Sequence, residues 1–113
     1  MKGLNIGINT EPVIEEKNHQ LNDTKKAIHT IDRYLDELDG ASMADCHAYR
    51  GVMQAFRQSV GLPEKYEKMG TISAFTEMRY ELNLRADQIR DDINKCKQIQ
   101  RSISDYASGR SRS

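Results

Sequence analysis

The sequence predicts an all-α protein, a three-helix antiparallel bundle whose third helix is long and coiled-coil-like. Three observations lead there. Positions seven apart in the C-terminal half (Phe75, Leu82, Ile89, Cys96 and Ile103) are all apolar, and the series three residues earlier (Ile72, Arg79, Ala86, Ile93, Gln100) is apolar at three of five. Such a sustained pair of seams is the mark of a long helix packed against other helices. Glycine and proline gather where helices would end, at Asp39-Gly40 and Gly61-Leu62-Pro63, which leaves short connections and hence antiparallel neighbours. Composition agrees: 37% hydrophobic and 30% charged residues, against ~45–50% and ~25% in an average chain, suit a thin bundle. The apolar residues are periodic rather than merely sparse, which argues against disorder throughout.

Residues 1–9 alternate Leu4, Ile6 and Ile8 with Gly and Asn and read as a flexible N-terminal arm. Thr10-Glu11-Pro12 reads as a helix start, with a hydroxyl at the cap, an acid in the first turn and a proline where no amide hydrogen is needed. The first helix then runs to Leu38 along Ile14, Leu21, Ile28 and Leu35 in one series and Lys17, Thr24, Ile31 and Leu38 in the other. Gly40 ends it, because glycine takes the left-handed cap conformation without a Cβ penalty. Ser42 followed by Asp45 resembles a capping box, opening a second helix from Met43 to about Val60 along Cys46, Tyr49, Met53, Phe56 and Val60. Gly51 inside it costs ~1 kcal/mol relative to Ala, explained by a close helix–helix approach or by simple tolerance. After Gly61-Leu62-Pro63 the long helix begins either at Pro63 or near Thr71, with Thr71 or Ser73 as its cap. It ends near Ala107, ahead of a disordered basic tail over 108–113. Residues 10–107 are thus one helical bundle, a size suited to a single domain.

Seventeen basic and seventeen acidic residues cancel, so no strong global field points to nucleic acid or to a membrane surface. No apolar run approaches the ~20 residues of a membrane span, and the first residues lack the apolar core and cleavage site of a signal peptide. The expected location is cytoplasmic. Cys46 and Cys96 both lie in apolar helical patterns and are expected as free, buried thiols rather than a disulfide.

Chemistry is hard to find. There is no Cys-x-x-Cys, His-x-x-x-His or His-Glu-x-x-His arrangement of metal ligands. Glu15 and His19 share a helix face, but two ligands do not make a site. Cys46 beside His47 is not an activated nucleophile, because adjacent helical residues point in different directions. No Gly-x-Ser-x-Gly turn and no glycine-rich phosphate loop occurs. No enzymatic activity, cofactor or metal is expected.

Length suggests a partner. At ~1.5 Å per residue, helices over 71–107 and 12–38 span roughly 55 and 40 Å, against about 27 Å for the middle helix. One chain of this kind does not cover its longest seam. The expected function is therefore that of a non-enzymatic interaction protein (an adaptor, assembly chaperone or inhibitor) that self-associates and docks a protein partner through an apolar helix face. The residues expected to carry this are Ile89, Ile93, Cys96, Ile99 and Ile103, with Ile28, Ile31, Leu35 and Leu38 opposite. Arg79 and Gln100 either set the register of that seam or lie where it is exposed. A first alternative is an oligomeric nucleic-acid-binding protein using Lys97, Arg101, Arg110 and Arg112 for salt-dependent phosphate contacts. A second is an oligomer that holds a phosphorylated small molecule among Tyr49, Tyr66, Tyr80, His47 and nearby arginines.

Overall fold

The computed structural model describes the backbone of residues 10–107 and the side chains of residues 10–103. The expected arm over 1–9 and tail over 108–113 lie outside the described residues. Every described element is helical: α1 (Glu11–Leu38), α2 (Met43–Ala48), α3 (Arg50–Ser59), a 3-10 helix (Glu64–Lys68) and α4 (Thr71–Ala107). They belong to two compact units. The central unit is Asp23–Arg85, and the terminal unit joins Met1–Asn22 to Ala86–Ser113.

In the central unit the apolar stripes of α1, α3 and α4 close over one core. Ile31, Met53, Ala74, Phe75 and Met78 are fully buried, and Leu38 and Leu82 nearly so. Each large aliphatic or aromatic side chain enclosed in this way contributes about 1.5–3 kcal/mol. Four rings meet at the centre. Tyr34 lies 5.2 Å from Phe75, 6.3 Å from Phe56 and 6.1 Å from Tyr49, ring centre to ring centre, and Phe56 meets Phe75 at 6.4 Å. These separations fall in the favourable range for aromatic pairs.

The helix ends explain why the chain turns where it does. Gly61 has φ of +68° and follows α3 in a Schellman arrangement. The Leu62 amide donates to the Arg57 carbonyl at 3.0 Å and the Gly61 amide to the Gln58 carbonyl at 3.2 Å, while Leu62 itself is buried. Ser42 caps α2 by accepting from the Asp45 amide at 3.1 Å, which is the serine half of the expected box.

Three expectations need correction, and two alternatives are resolved. The middle helix is not continuous from Met43 to Val60, because α2 and α3 meet at Tyr49, whose amide is shared between the Asp45 and Cys46 carbonyls at 3.2 Å each. That sharing is a local tightening toward 3-10 geometry between the two α-helical segments. A Cβ on Gly51 would meet nothing within 4 Å, so no close helix approach accounts for that glycine. The long helix begins at Thr71, and the residue in its cap position is Gly70, whose carbonyl accepts from the Ala74 amide at 2.8 Å; Thr71 and Ser73 lie in the first turn. Thr10 does sit at the start of α1, with its carbonyl accepting from the Ile14 amide at 2.9 Å. Its hydroxyl, however, is buried without a hydrogen-bond partner. A cap side chain bonds the second or third helical amide, and the second residue here is Pro12, which has none.

Three arginines secure the connection between α3 and α4. Arg57 is buried; its Nε donates to Glu67 Oε2 at 2.6 Å and its Nη1 to the Leu62 carbonyl at 2.6 Å. Arg50 donates to the Met69 carbonyl at 2.7 Å and to the Glu67 carbonyl. Arg85 donates to the Val60 carbonyl at 3.0 Å, at the end of α3. Each guanidinium satisfies carbonyls that no helix ladder reaches. Replacing Arg57 with Ala strands the Leu62 carbonyl and leaves Glu67 without its cation, so Arg57→Ala is expected to cost about 3 kcal/mol. The check is a urea melt, in which the midpoint falls while the slope is unchanged; a midpoint equal to that of the native chain contradicts this role.

Candidate functional site

The apolar residues expected at a partner surface fall into two groups. Ile31 and Leu38 are enclosed in the central core, with Ile28 and Leu35 half-buried against it. The remaining five lie on α4 in the terminal unit. There Ile89 and Ile93 are buried, Cys96 is half-buried, and Ile99 and Ile103 are 46% and 40% exposed. Thus one helical stripe runs from covered to open within about three turns. On α1 of the same unit, Val13 is 45% exposed, and Ile14 and Leu21 are half-buried.

The stripe on α4 keeps the 3–4 spacing that makes a single face. Its buried members are Ala74, Phe75, Met78, Leu82, Ala86, Ile89 and Ile93. Ile72, expected within the companion series, is instead 43% exposed, because Ala74 and Met78 fill the corresponding place one row over. Arg79 is exposed and paired with Asp32 of α1 inside the central unit, and Gln100 is half-buried.

An ion pair ties the two described helices of the terminal unit together. Lys17 Nζ lies 3.3 Å from Asp92 Oδ2, with both side chains about 30% exposed. Asp92 also accepts from Gln88 Nε2 at 3.0 Å. The hydrogen bond from Gln88, then that from Lys17, holds the Asp92 carboxyl below the usual aspartate range. Val13 lies one turn before Lys17, and Cys96, Ile99 and Ile103 lie four, seven and eleven residues after Asp92. At 3.6 residues per turn these spacings return to the same side of each helix. The exposed apolar residues of both helices therefore gather on the side marked by the ion pair. Lys95 adjoins Ile99 at a spacing of four, lining a shallow hollow with Gln98, Ile99, Ser102 and Ile103. Glu16 stands three residues from Val13 and accepts from Gln20 at 3.3 Å.

The residues of the other expected chemistries are scattered. Lys97 and Arg101 are exposed, while Arg110 and Arg112 lie outside the described residues. Along α4, Lys95 pairs with Asp91 and Arg90 with Asp87, so acids interrupt the basic stripe. Of the tyrosines, Tyr66 is buried in the central core, Tyr80 is 64% exposed, and Tyr49 donates to Glu37 Oε1 at 2.6 Å. That hydrogen bond pushes the Tyr49 hydroxyl above its ordinary pKa, and burial does the same for Tyr66. Both cysteines are free thiols. Glu16 and His19 have the Glu-x-x-His spacing of carboxylate metal sites. No group of three or more His, Cys, Asp or Glu positioned for a metal ion occurs among the described residues, and none of the described helices is long and apolar enough to cross a membrane.

Sequence reasoning missed the three arginines that bind carbonyls and the Lys17–Asp92 pair. The first depend on a turn twenty or so residues away in some cases, and the second joins positions 75 apart in sequence. No local pattern announces either.

Comparison with protein-family models, with curated proteins and with solved structures finds no match to this chain.

Asp92 supplies a pH test. Its pKa is depressed in the folded state, so its contribution is present above the unfolded value and is lost as pH falls through the folded one. Thermal melts of the native chain should lose stability as pH drops below about 4, the ordinary aspartate value, and Asp92→Asn should flatten that part of the profile. Superimposable acid limbs would show that the pair contributes nothing.

Proposed function

We propose that this chain is a non-enzymatic helical interaction protein that self-associates and binds a protein partner through the open apolar face of its terminal unit. The observation carrying this reading is the stripe on α4 that is buried at Ile89 and Ile93 and open at Ile99 and Ile103, accompanied by exposed Val13 on α1. An amphipathic helix lays its apolar stripe against a core. The central unit provides several helical segments around its core, whereas the described residues of the terminal unit form two helices.

The antiparallel, coiled-coil-like packing of α1 and α4 belongs to the same proposal. In the central unit, Asp32 pairs with Arg79 and Tyr34 with Phe75, so later residues of α1 meet earlier residues of α4. If the terminal unit follows the same sense, the Lys17–Asp92 pair sets Thr10 level with Ile99, seven residues away in each direction. The α4 backbone then continues past the first residue of α1 for about two turns, at ~1.5 Å per residue, and Ile103 has no α1 residue beside it. A helical partner fits this seam, with its own apolar residues against Ile99 and Ile103 and charges at the rim choosing among partners.

The test is the double variant Ile99→Asp/Ile103→Asp, followed by light-scattering mass. A charge buried without a partner costs several kcal/mol, so the association constant should fall at least ~100-fold while helical circular dichroism is retained. The control Ile31→Asp places the same charge in the closed core and should unfold the central unit. If the double variant keeps the mass and partner binding of the native chain, the seam is not the docking face.

A further inference from the structure

We infer that the occupant of the open seam is a second copy of this chain, docked with its two-fold axis along the helix pair, so that α1 of each copy lies against α4 of the other. The inference rests on the proposed docking face and specifies its partner and geometry.

An interface between identical copies must be complementary to itself. The terminal unit meets that condition. Residues 11–17 of α1 carry Glu11, Glu15 and Glu16 against Lys17 alone, while residues 95–101 of α4 carry Lys95, Lys97 and Arg101 without an acid. The side that gathers Val13, Ile99 and Ile103 is bordered on α1 by Glu16, three residues after Val13, and on α4 by Lys95, four residues before Ile99. Both border residues are exposed. Lys95 makes an exposed i,i+4 pair with Asp91 at 3.3 Å, a kind that is readily exchanged, and also helps to lower the Asp92 pKa.

Two ways of placing one such face on another are two-fold symmetric. With the axis across the helices, α1 lies on α1 and α4 on α4, and Glu16 meets the partner subunit's Glu16 while Lys95 meets the partner subunit's Lys95. Like charges then line both borders, which is unfavourable. With the axis along the helices, α1 lies on the partner's α4. Levels along the axis are preserved, and the Lys17–Asp92 pair sets Glu16 level with Ile93. The partner subunit's Lys95 is then two residues, or about 3 Å, away along the axis, within reach of both long side chains. Opposite charges line both borders, and every helix has antiparallel neighbours in a four-helix arrangement. The same placement brings Ile103 of each copy to a common level, where each covers the apolar surface that the other's α1 is too short to reach.

The test uses charge exchange on the full chain. Glu16→Lys and Lys95→Glu are each expected to weaken self-association about tenfold, and an equimolar mixture of the two should recover the native association constant, because both borders are again opposite in sign. A native dimer that is indifferent to both charge variants, or whose mixture is no stronger than its components, overturns the inferred geometry while leaving self-association standing. A native chain that stays monomeric at every concentration overturns the second copy as occupant. If the Ile99→Asp/Ile103→Asp chain then loses a different protein partner, the docking face survives without it.

Discussion

An amphipathic helix must cover its apolar stripe, and the stripe of α4 is covered to different extents in the two parts of the chain. In Asp23–Arg85 the stripe of α4 is enclosed, and its members from Ala74 to Leu82 are at most 1% exposed. In the terminal unit α1 is the described helix beside the same stripe, and exposure rises from 6% at Ile93 to 46% at Ile99. The apolar spacing of α4 continues through both regions, interrupted at Gln100 and flanked by Lys95, Lys97 and Arg101 in the second.

The closed core depends on groups outside the apolar pattern as much as on the pattern. Phe56, Met53 and Leu62 reach the core because α3 stops at Ser59 and the chain reverses through Gly61. The reversal exposes carbonyls that a helix would have satisfied internally, and Arg50, Arg57 and Arg85 take them up. Removal of such a donor is more damaging than its net hydrogen-bond strength suggests, because the stranded acceptor stays dry. In the terminal unit the inter-helix contacts among the described residues include the half-exposed Lys17–Asp92 pair.

Local signals in the sequence were strong enough for the all-helical class and for most helix ends. Gly40 and Gly61 do adopt positive φ, and α1 ends at Leu38 as its periodicity implies. The break at Tyr49 was not legible, because the residues around it have the same 3–4 spacing as a continuous helix. The start at Thr71 was legible only as one of two alternatives, since Gly70 caps through its backbone and not through a side chain. For the candidate site, heptad positions identified Ile89 through Ile103 as a stripe, but they could not separate Ile31 and Leu38, which are core, from Ile99 and Ile103, which are open. That division is set by which helix lies opposite each residue and how far it extends. It is a property of tertiary pairing, invisible to a one-dimensional period.

In the proposed assembly the core of Asp23–Arg85 is complete within one chain, whereas the terminal helix pair is completed by another. Hydrogen exchange measured at low and high protein concentration tests it directly, because protection reports local opening and association adds stability by mass action. The account predicts that amides of residues 11–22 and 86–103 become more protected as concentration rises, while those of residues 27–38, 53–59 and 71–82 do not change beyond that. Protection that is independent of concentration in both units, or that rises only in the central one, would contradict it.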